Sequence, residues 1–542
     1  MKKVFSKLAV SAVLGAGLAL GVGAANAAEM PKRGGILTYL NPSEIPSFDG
    51  HRETTFGVIH PLAPYYSLLM RVNPDNPSSP TDFVCDVCEG KVPTGTDGGK
   101  TFTFKIRKDV KFHSGTPLTA HDVVATFKKI IFPPEGTPSA RKTFYRSVES
   151  VTATDDYTVV FKLKFPSGAF IPAMADPFNW IYSKKDLDAH GMDWHTKNVH
   201  GSGPFIFVQD QQGSFTEGKK NPNYHHKGLD GKPQPYLDGI KAIVATKLAV
   251  RVQAIRGDRA SIEFRGFPPA HRDELVKALG KDITVQESDW NCVLLLTPNH
   301  SRKPFDDARA RRALTLTLDR WQGSQYLSKI AIVKTVGGVV FPNHPLAATK
   351  EELTKLAGYG TDVNKNVAEA KRLLKEAGIA TLNVDFINRG VDQPYKVVGT
   401  WAIDQWKKAG INATQRVLPT PAFYDSLRKK KDNDIAIDFN CQSVVNPIAD
   451  ITKYLGSSGS NHGNYKDQAL EDIYAKIEKS NDPAEQRKLI RDYEKRAVSD
   501  EAHEIITLWW YKINPHRSYV KGWKIAPSHY LNQQLDNVWL DK

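Results

Sequence analysis

Cysteine is scarce in this chain: four in 542 residues, with none before Cys85. A lipid anchor on an N-terminal cysteine is therefore excluded. Past the N-terminus, no segment reaches the roughly 18 uncharged apolar residues that a membrane-spanning helix needs. Internal repeats and low-complexity tracts are absent, which argues against a solenoid or a disordered tail. The usual patterns of catalysis are missing too. His503-Glu504 would need a histidine at 507 for a zinc-protease helix, and that position is Thr507. Gly456-Ser457-Ser458-Gly459 is not G-x-S-x-G, and Ser426 to Lys429 fits S-x-x-K only as a pattern loose enough to arise by chance. His190, His195 and His200 recur every five residues, a spacing that spreads them around a helix, and His225-His226 is an adjacent pair in a turn. Both sets read as surface or structural histidines, not metal ligands. The residues thus argue against an enzyme and call for neither metal nor cofactor.

What is present begins with Lys2, Lys3 and Lys7, an uncharged run from Leu8 to Ala28, and Ala25-Asn26-Ala27 in the A-x-A arrangement of a signal-peptidase site. A signal peptide over residues 1–27 is expected, leaving a mature protein free in an envelope compartment, most simply a periplasm. Loss of those three lysines lowers the formal net charge from +14 to +11. An exported protein meets little nucleic acid, and clusters such as Arg428 to Lys431 are not interleaved with aromatics, so nucleic-acid binding is not expected. The positive field favours anionic surfaces or ligands only weakly.

In an oxidising compartment, four cysteines are consistent with two disulfides. Cys85 and Cys88 form a C-x-x-C with no second pair to complete a zinc set, so a local disulfide is the better reading. Cys292 and Cys441 both sit in strand-like runs and are expected to pair.

A chain of this length exceeds one core of about 250 to 300 residues, so two or more lobes are expected. Thr101 to Ile106 alternates as a half-buried strand, Ser114-Gly115-Thr116-Pro117 turns, and Thr119 caps a helix over 120–129 whose Val123, Val124 and Phe127 share a face. Asn366 with Glu369 makes a capping box, and Gly378 ends that helix. A strand over 379–386, a helix over 401–409 and a strand over 411–417 then alternate, as an α/β lobe requires.

The block over 100–130 resembles the signature of the family 5 extracellular solute-binding proteins, the peptide, nickel and opine receptors of ABC importers. Gly34 to Thr38 resembles the family's first strand, with Phe48-Asp49 at its "LDP" position. Asp155 to Val160 is similar to its "DDYTV" hairpin, Gly201 to Phe205 to "GTGPY", and Asn221 to Tyr224 to "NPdYw". Pro304 to Asp307 with Arg311, Ala313 and Asp319-Arg320 resembles "PFdDvrvRqAl…AiDR", and Ala368 to Gly378 completes the series. The resemblance implies an α/β, periplasmic-binding-protein-like fold of two lobes joined by a two-crossing hinge. The first lobe would take residues 28–72, 190–286 and 507–542, the second 287–506, with a small subdomain inserted over 73–189. The implied partners are a solute and an inner-membrane permease with its ATPase, and the receptor itself would be monomeric.

That resemblance places the pocket at the hinge. Its expected lining is Asn41, Trp290, Asn291, Asn440, Gln442, Ser443 and Trp509, with Arg389 as a carboxylate clamp, its planar fork matching a carboxylate. The family's dipeptide receptors use an acidic residue where this chain has Ser443, with Asp438 or Asp450 as substitutes. The expectation is therefore a peptide or a peptide-like, opine or other small polar solute, favouring a carboxylate or another anionic or strongly polar group over a free α-amine. The alternatives are an organic anion, an oligosaccharide or a chelated metal, and, last, a hydrolase on the same scaffold.

Overall fold

The structure, a computed structural model, describes residues 30–443, 446–480 and 482–542. The expected signal peptide lies outside the described residues.

Alternation sets the inserted subdomain. In Thr101–Lys105, Phe102 and Phe104 are buried while Thr103 and Lys105 face solvent. This strand and Val148–Asp155 flank Thr158–Leu163 in an antiparallel sheet. The helix Ala120–Ile131 packs on it through Val123, Phe127 and Ile130, running past the expected end because Ile130 and Ile131 continue the buried face. Thr119 caps it, its backbone N–H and hydroxyl both donating to Asp122. These elements share their own apolar core.

The first lobe is a five-stranded sheet in the order Ile262–Glu263, Ile36–Asn41, Gly239–Val244, Phe215–Lys220, Phe205–Gln211. Its first three strands are parallel, so Ile36–Asn41 is paired on both sides by chain about 200 residues away. The second lobe is a six-stranded sheet ordered Val333–Thr335, Ile505–Arg517, Ile283–Pro298, Ile435–Cys441, Leu382–Arg389, Ile411–Leu418. Helices Val363–Glu376 and Val397–Lys407 accompany it, with Gly378 and Gly410 following them in the left-handed region (φ +71° and +78°). The first of these starts earlier than expected: Asp362 is the cap, accepting from Lys365 N–H, and Asn366 instead donates to Gly360 O. The strand expected over 379–386 is shifted to Leu382–Arg389.

Ile283–Pro298 and Ile505–Arg517 belong to both lobes. They pair from Ile283↔Arg517 to Asp289↔Tyr511, break register, and resume at Val293↔Trp509. Their lower halves are tied to the first lobe, with Phe267 N–H donating to Ile513 O and the Asn514 amide to Glu263 O. The irregularity falls at the segments expected to form the hinge, near Gln286 to Asn291 and Ile506 to Trp510. Cys85–Cys88 and Cys292–Cys441 are both disulfides, the second linking residues directly opposite on neighbouring strands.

Candidate functional site

Strand Leu382–Arg389 ends facing the first lobe, so its last side chain reaches across the interface. Arg389 is fully buried. Its Nε donates to Thr420 Oγ1 at 3.0 Å, and its Nη2 to Ser43 Oγ at 2.8 Å and Thr55 Oγ1 at 2.9 Å. The guanidinium lies over Phe56 at 4.7 Å. Beside it, Arg428 grips Glu53 through both nitrogens at 2.9 and 3.0 Å, a bidentate pair between the lobes. Arg265 of the first lobe donates to Gln393 O of the second. Burial pushes the Arg265 guanidinium down to about 10. Together these contacts latch the lobes shut.

Next to the latch is a cavity of about 50 Å³ to which all three parts contribute: Thr54 and Tyr530 from the first lobe, Arg141 from the subdomain, and Asn440, Ser443 and Asp450 from the second lobe. Its charges are unequal. Asp438 is paired through Oδ2, with Lys453 Nζ at 2.7 Å and His462 Nδ1 at 3.0 Å. Burial alone would raise its carboxyl, but those two neighbours hold it below the usual range. Asp450 is buried, and its Oδ2 has no hydrogen-bond partner among the described residues. Burial first, and then the charge of Asp176, push this carboxyl well above the ordinary carboxylate range. Asp176 comes from the subdomain: its Oδ2 accepts from Ser443 Oγ at 2.5 Å, and its Oδ1 accepts from Phe178 N–H and lies 3.4 Å from Arg141 Nε. A larger groove of about 1130 Å³ opens beside it between subdomain and second lobe, bridged by Arg146 and Glu471 at 2.6 Å. Its lysines are exposed and its acids Asp467 and Glu478 are buried, but it draws on the subdomain and second lobe alone, whereas the small cavity gathers buried polar groups from all three parts.

The expected residues separate on this geometry. Asn440 and Ser443 line the cavity, and Asn440 donates to Asp450 O. Gln442 and Asn291 adjoin through Gln442 N–H to Asn291 O at 2.7 Å, and the Gln442 side-chain amide and Asn291 Nδ2 lack partners among the described residues. Asn41 ties its own loop, donating to Ser43 O and Gly57 O. Trp290 packs at the hinge with Nε1 on His529, and Trp509 lies in the second lobe's core with Nε1 on Gly338 O. Neither indole lines the cavity. Arg389, expected as a carboxylate clamp, has three hydroxyls on its Nε and Nη2 and keeps Nη1 buried and unpartnered among the described residues. Arg141, Asp176, Glu53, Thr420 and Tyr530 were missed, since no local pattern distinguishes a residue that meets the cleft from another chain segment. The motif residues Arg311 and Arg320 are likewise structural, buried and donating to backbone carbonyls.

Two lobes, a double crossing and a charged cavity between them define a cleft-type binding protein. Residues 91–462 match the family of bacterial extracellular solute-binding proteins, family 5 Middle, and the chain belongs to it. Over 307 residues it is 29% identical to di/tripeptide-binding protein 2 of Pseudomonas aeruginosa UCBPP-PA14, covering 52% of this chain and 53% of that relative. Over 463 residues it is 24% identical to the periplasmic oligopeptide-binding protein OppA of Escherichia coli K12, covering 81% of each. Haemophilus influenzae OppA in complex with RPPGFSPFR aligns with a TM-score of 0.81 at 21% identity, covering 94% of this chain and 99% of that one. At that identity the agreement speaks to the fold. No described helix is long and apolar enough to cross a membrane.

Proposed function

We propose that this protein is the periplasmic receptor of an ABC importer, closing its lobes on a peptide or peptide-like solute and delivering it to an inner-membrane permease and its ATPase. Its family, and relatives named for binding di-, tri- and oligopeptides, support this reading. Capture, not catalysis, is the assigned role. The observation that carries the ligand class is the unpartnered Asp450 oxygen in the interlobe cavity. A buried ammonium is costly unless it meets a carboxylate, and Asp450, with Asp176 close behind, offers one where the backbone position itself carries only Ser443. The solute is therefore read as bearing a cationic group, such as a peptide α-amine, in place of the anion-led recognition expected from Arg389. The cavity is far below the roughly 300 Å³ of a small-molecule pocket, so the lobes must part to admit it.

Mass spectrometry of small molecules released by denaturing freshly purified protein identifies the solute class, and calorimetry with free and N-acetylated peptides tests the recognition. Binding of the free-amine form, weakened about ten- to a hundredfold by acetylation, is the expected result. Equal or tighter binding of the acetylated form would overturn it.

A further inference from the structure

Outside the cleft, three side chains from two distant segments converge on one point. Asp86 sits inside the Cys85–Cys88 disulfide loop, and its Oδ2 accepts from Leu68 N–H at 2.7 Å. Its Oδ1 faces two imidazoles, His225 Nε2 at 3.1 Å and His226 Nε2 at 2.8 Å. The three candidate ligand atoms lie within 4.8 Å of one another. The backbone of the histidine turn is held as well: Arg107 donates to His225 O at 3.0 Å, and Gln234 N–H to His226 O at 2.9 Å. No spacing rule shows this cluster, because the carboxylate is 139 residues from the nearer histidine.

We propose that Asp86, His225 and His226 form a binding site for a divalent transition-metal ion, Zn²⁺ being the best fit. Two imidazoles and one carboxylate are the donor set of an open zinc site, which keeps a fourth position for water. With ligand bonds of about 2.0 Å, tetrahedral donors stand about 3.3 Å apart. The two separations from Asp86 Oδ1, 3.1 and 2.8 Å, need to widen by only a few tenths of an ångström. Each imidazole would carry its proton on Nδ1, freeing the Nε2 lone pair for the ion.

Charge supports a cation here. The nearby arginines have carboxylates of their own, Arg71 with Asp536 at 2.8 Å and Arg107 with Asp109 at 2.7 Å, so the direct contacts of Asp86 are the two imidazoles and the Leu68 N–H. Access supports it too: the Asp86 and His225 side chains are buried, while His226 is 21% exposed and opens one side. None of the three lines the interlobe cavity. The ion would act as a staple between the disulfide loop and the 221–236 turn, not as cargo.

The test is calorimetry and thermal shift with ZnCl₂ on untagged, chelator-treated full chain, comparing the wild type with Asp86→Asn and His226→Gln. One equivalent bound, a raised Tm, and at least tenfold weaker binding in each variant are expected, with no response to MgCl₂. Absence of stoichiometric Zn²⁺ binding, or equal binding by the variants, would overturn the assignment. His226 is partly exposed, so His226→Gln decides the matter even if Asp86→Asn fails to fold.

Discussion

Ser443 and Asp176 are 267 positions apart and share a 2.5 Å hydrogen bond across the cleft. The hydroxyl at 443 thus meets a carboxylate from the inserted subdomain, whose charge adds to burial in raising the Asp450 carboxyl. Asp450→Asn removes the acceptor assigned to the solute's cation. It should weaken binding of a free-amine peptide about ten- to a hundredfold, since hydrogen bonds to charged groups contribute about 1.5 to 3 kcal/mol. Calorimetry with the N-acetylated analogue, whose affinity should be unaffected, provides the control.

Affinity should also depend on pH. Burial and Asp176 raise the Asp450 carboxyl well above the ordinary carboxylate range, which favours its neutral form in the closed structure without a cation. Pairing with an ammonium requires its proton to leave, so binding should tighten as pH rises toward the raised pKa and level off above it. Asp176→Asn removes the repelling charge and should move this dependence to lower pH. Enthalpies that do not change with buffer ionisation heat, meaning no proton release, would count against this account.

Arg428 and Glu53 join the lobes at the cleft margin. Arg428→Ala should shift the ligand-free population toward open forms, visible as a larger radius of gyration in solution scattering, and reduce solute affinity by about tenfold. Chemical stability should change little by comparison, because neither lobe's core depends on the pair.

Glu504 offers a stability test. It is fully buried, with Thr297 donating to Oε2 and Oε1 without a partner among the described residues. Burial pushes its carboxyl up to about 8, with Lys453 opposing and Asp438 adding to the shift. The folded state therefore keeps a proton that the unfolded chain loses near the ordinary carboxyl range. Stability from this group is complete below that range and is lost as pH rises through about 8. Glu504→Gln should flatten the decline in Tm between pH 5 and 9, a difference on the order of several degrees.

Removing the Cys292–Cys441 bridge by a double Cys→Ser change releases a sequence separation of 149. Denaturant midpoints should fall by an amount corresponding to at most about 5 kcal/mol. The short Cys85–Cys88 loop should cost less, and its loss should be felt most in the neighbouring Asp86 and His225 contacts.

Much of this protein is legible from local pattern. Period-two alternation at Thr101–Lys105, the cap at Thr119 and the glycines at 378 and 410 specify elements because each depends on neighbours a few residues away. Even there the boundaries moved: Asp362, not Asn366, begins its helix, since any Asp, Asn, Ser or Thr can cap and only the packed register selects one. The cysteine pairing and the two-lobed plan were also readable, the first from number and compartment, the second from length and resemblance.

The identity of the site was a different matter. Arg389, conspicuous in the sequence as a fork for a carboxylate, is occupied by Ser43, Thr55 and Thr420 from both lobes. Ser443 hydrogen-bonds Asp176 of the inserted subdomain, and His225 and His226 meet Asp86 from another subdomain. Sequence alone determined many of the elements, because short-range periodicity encodes them, and chain length with the family resemblance indicated the two lobes. Only the tertiary structure decided which charges are satisfied and which remain open, because those contacts form where the chain crosses between lobes and have no periodicity to announce them.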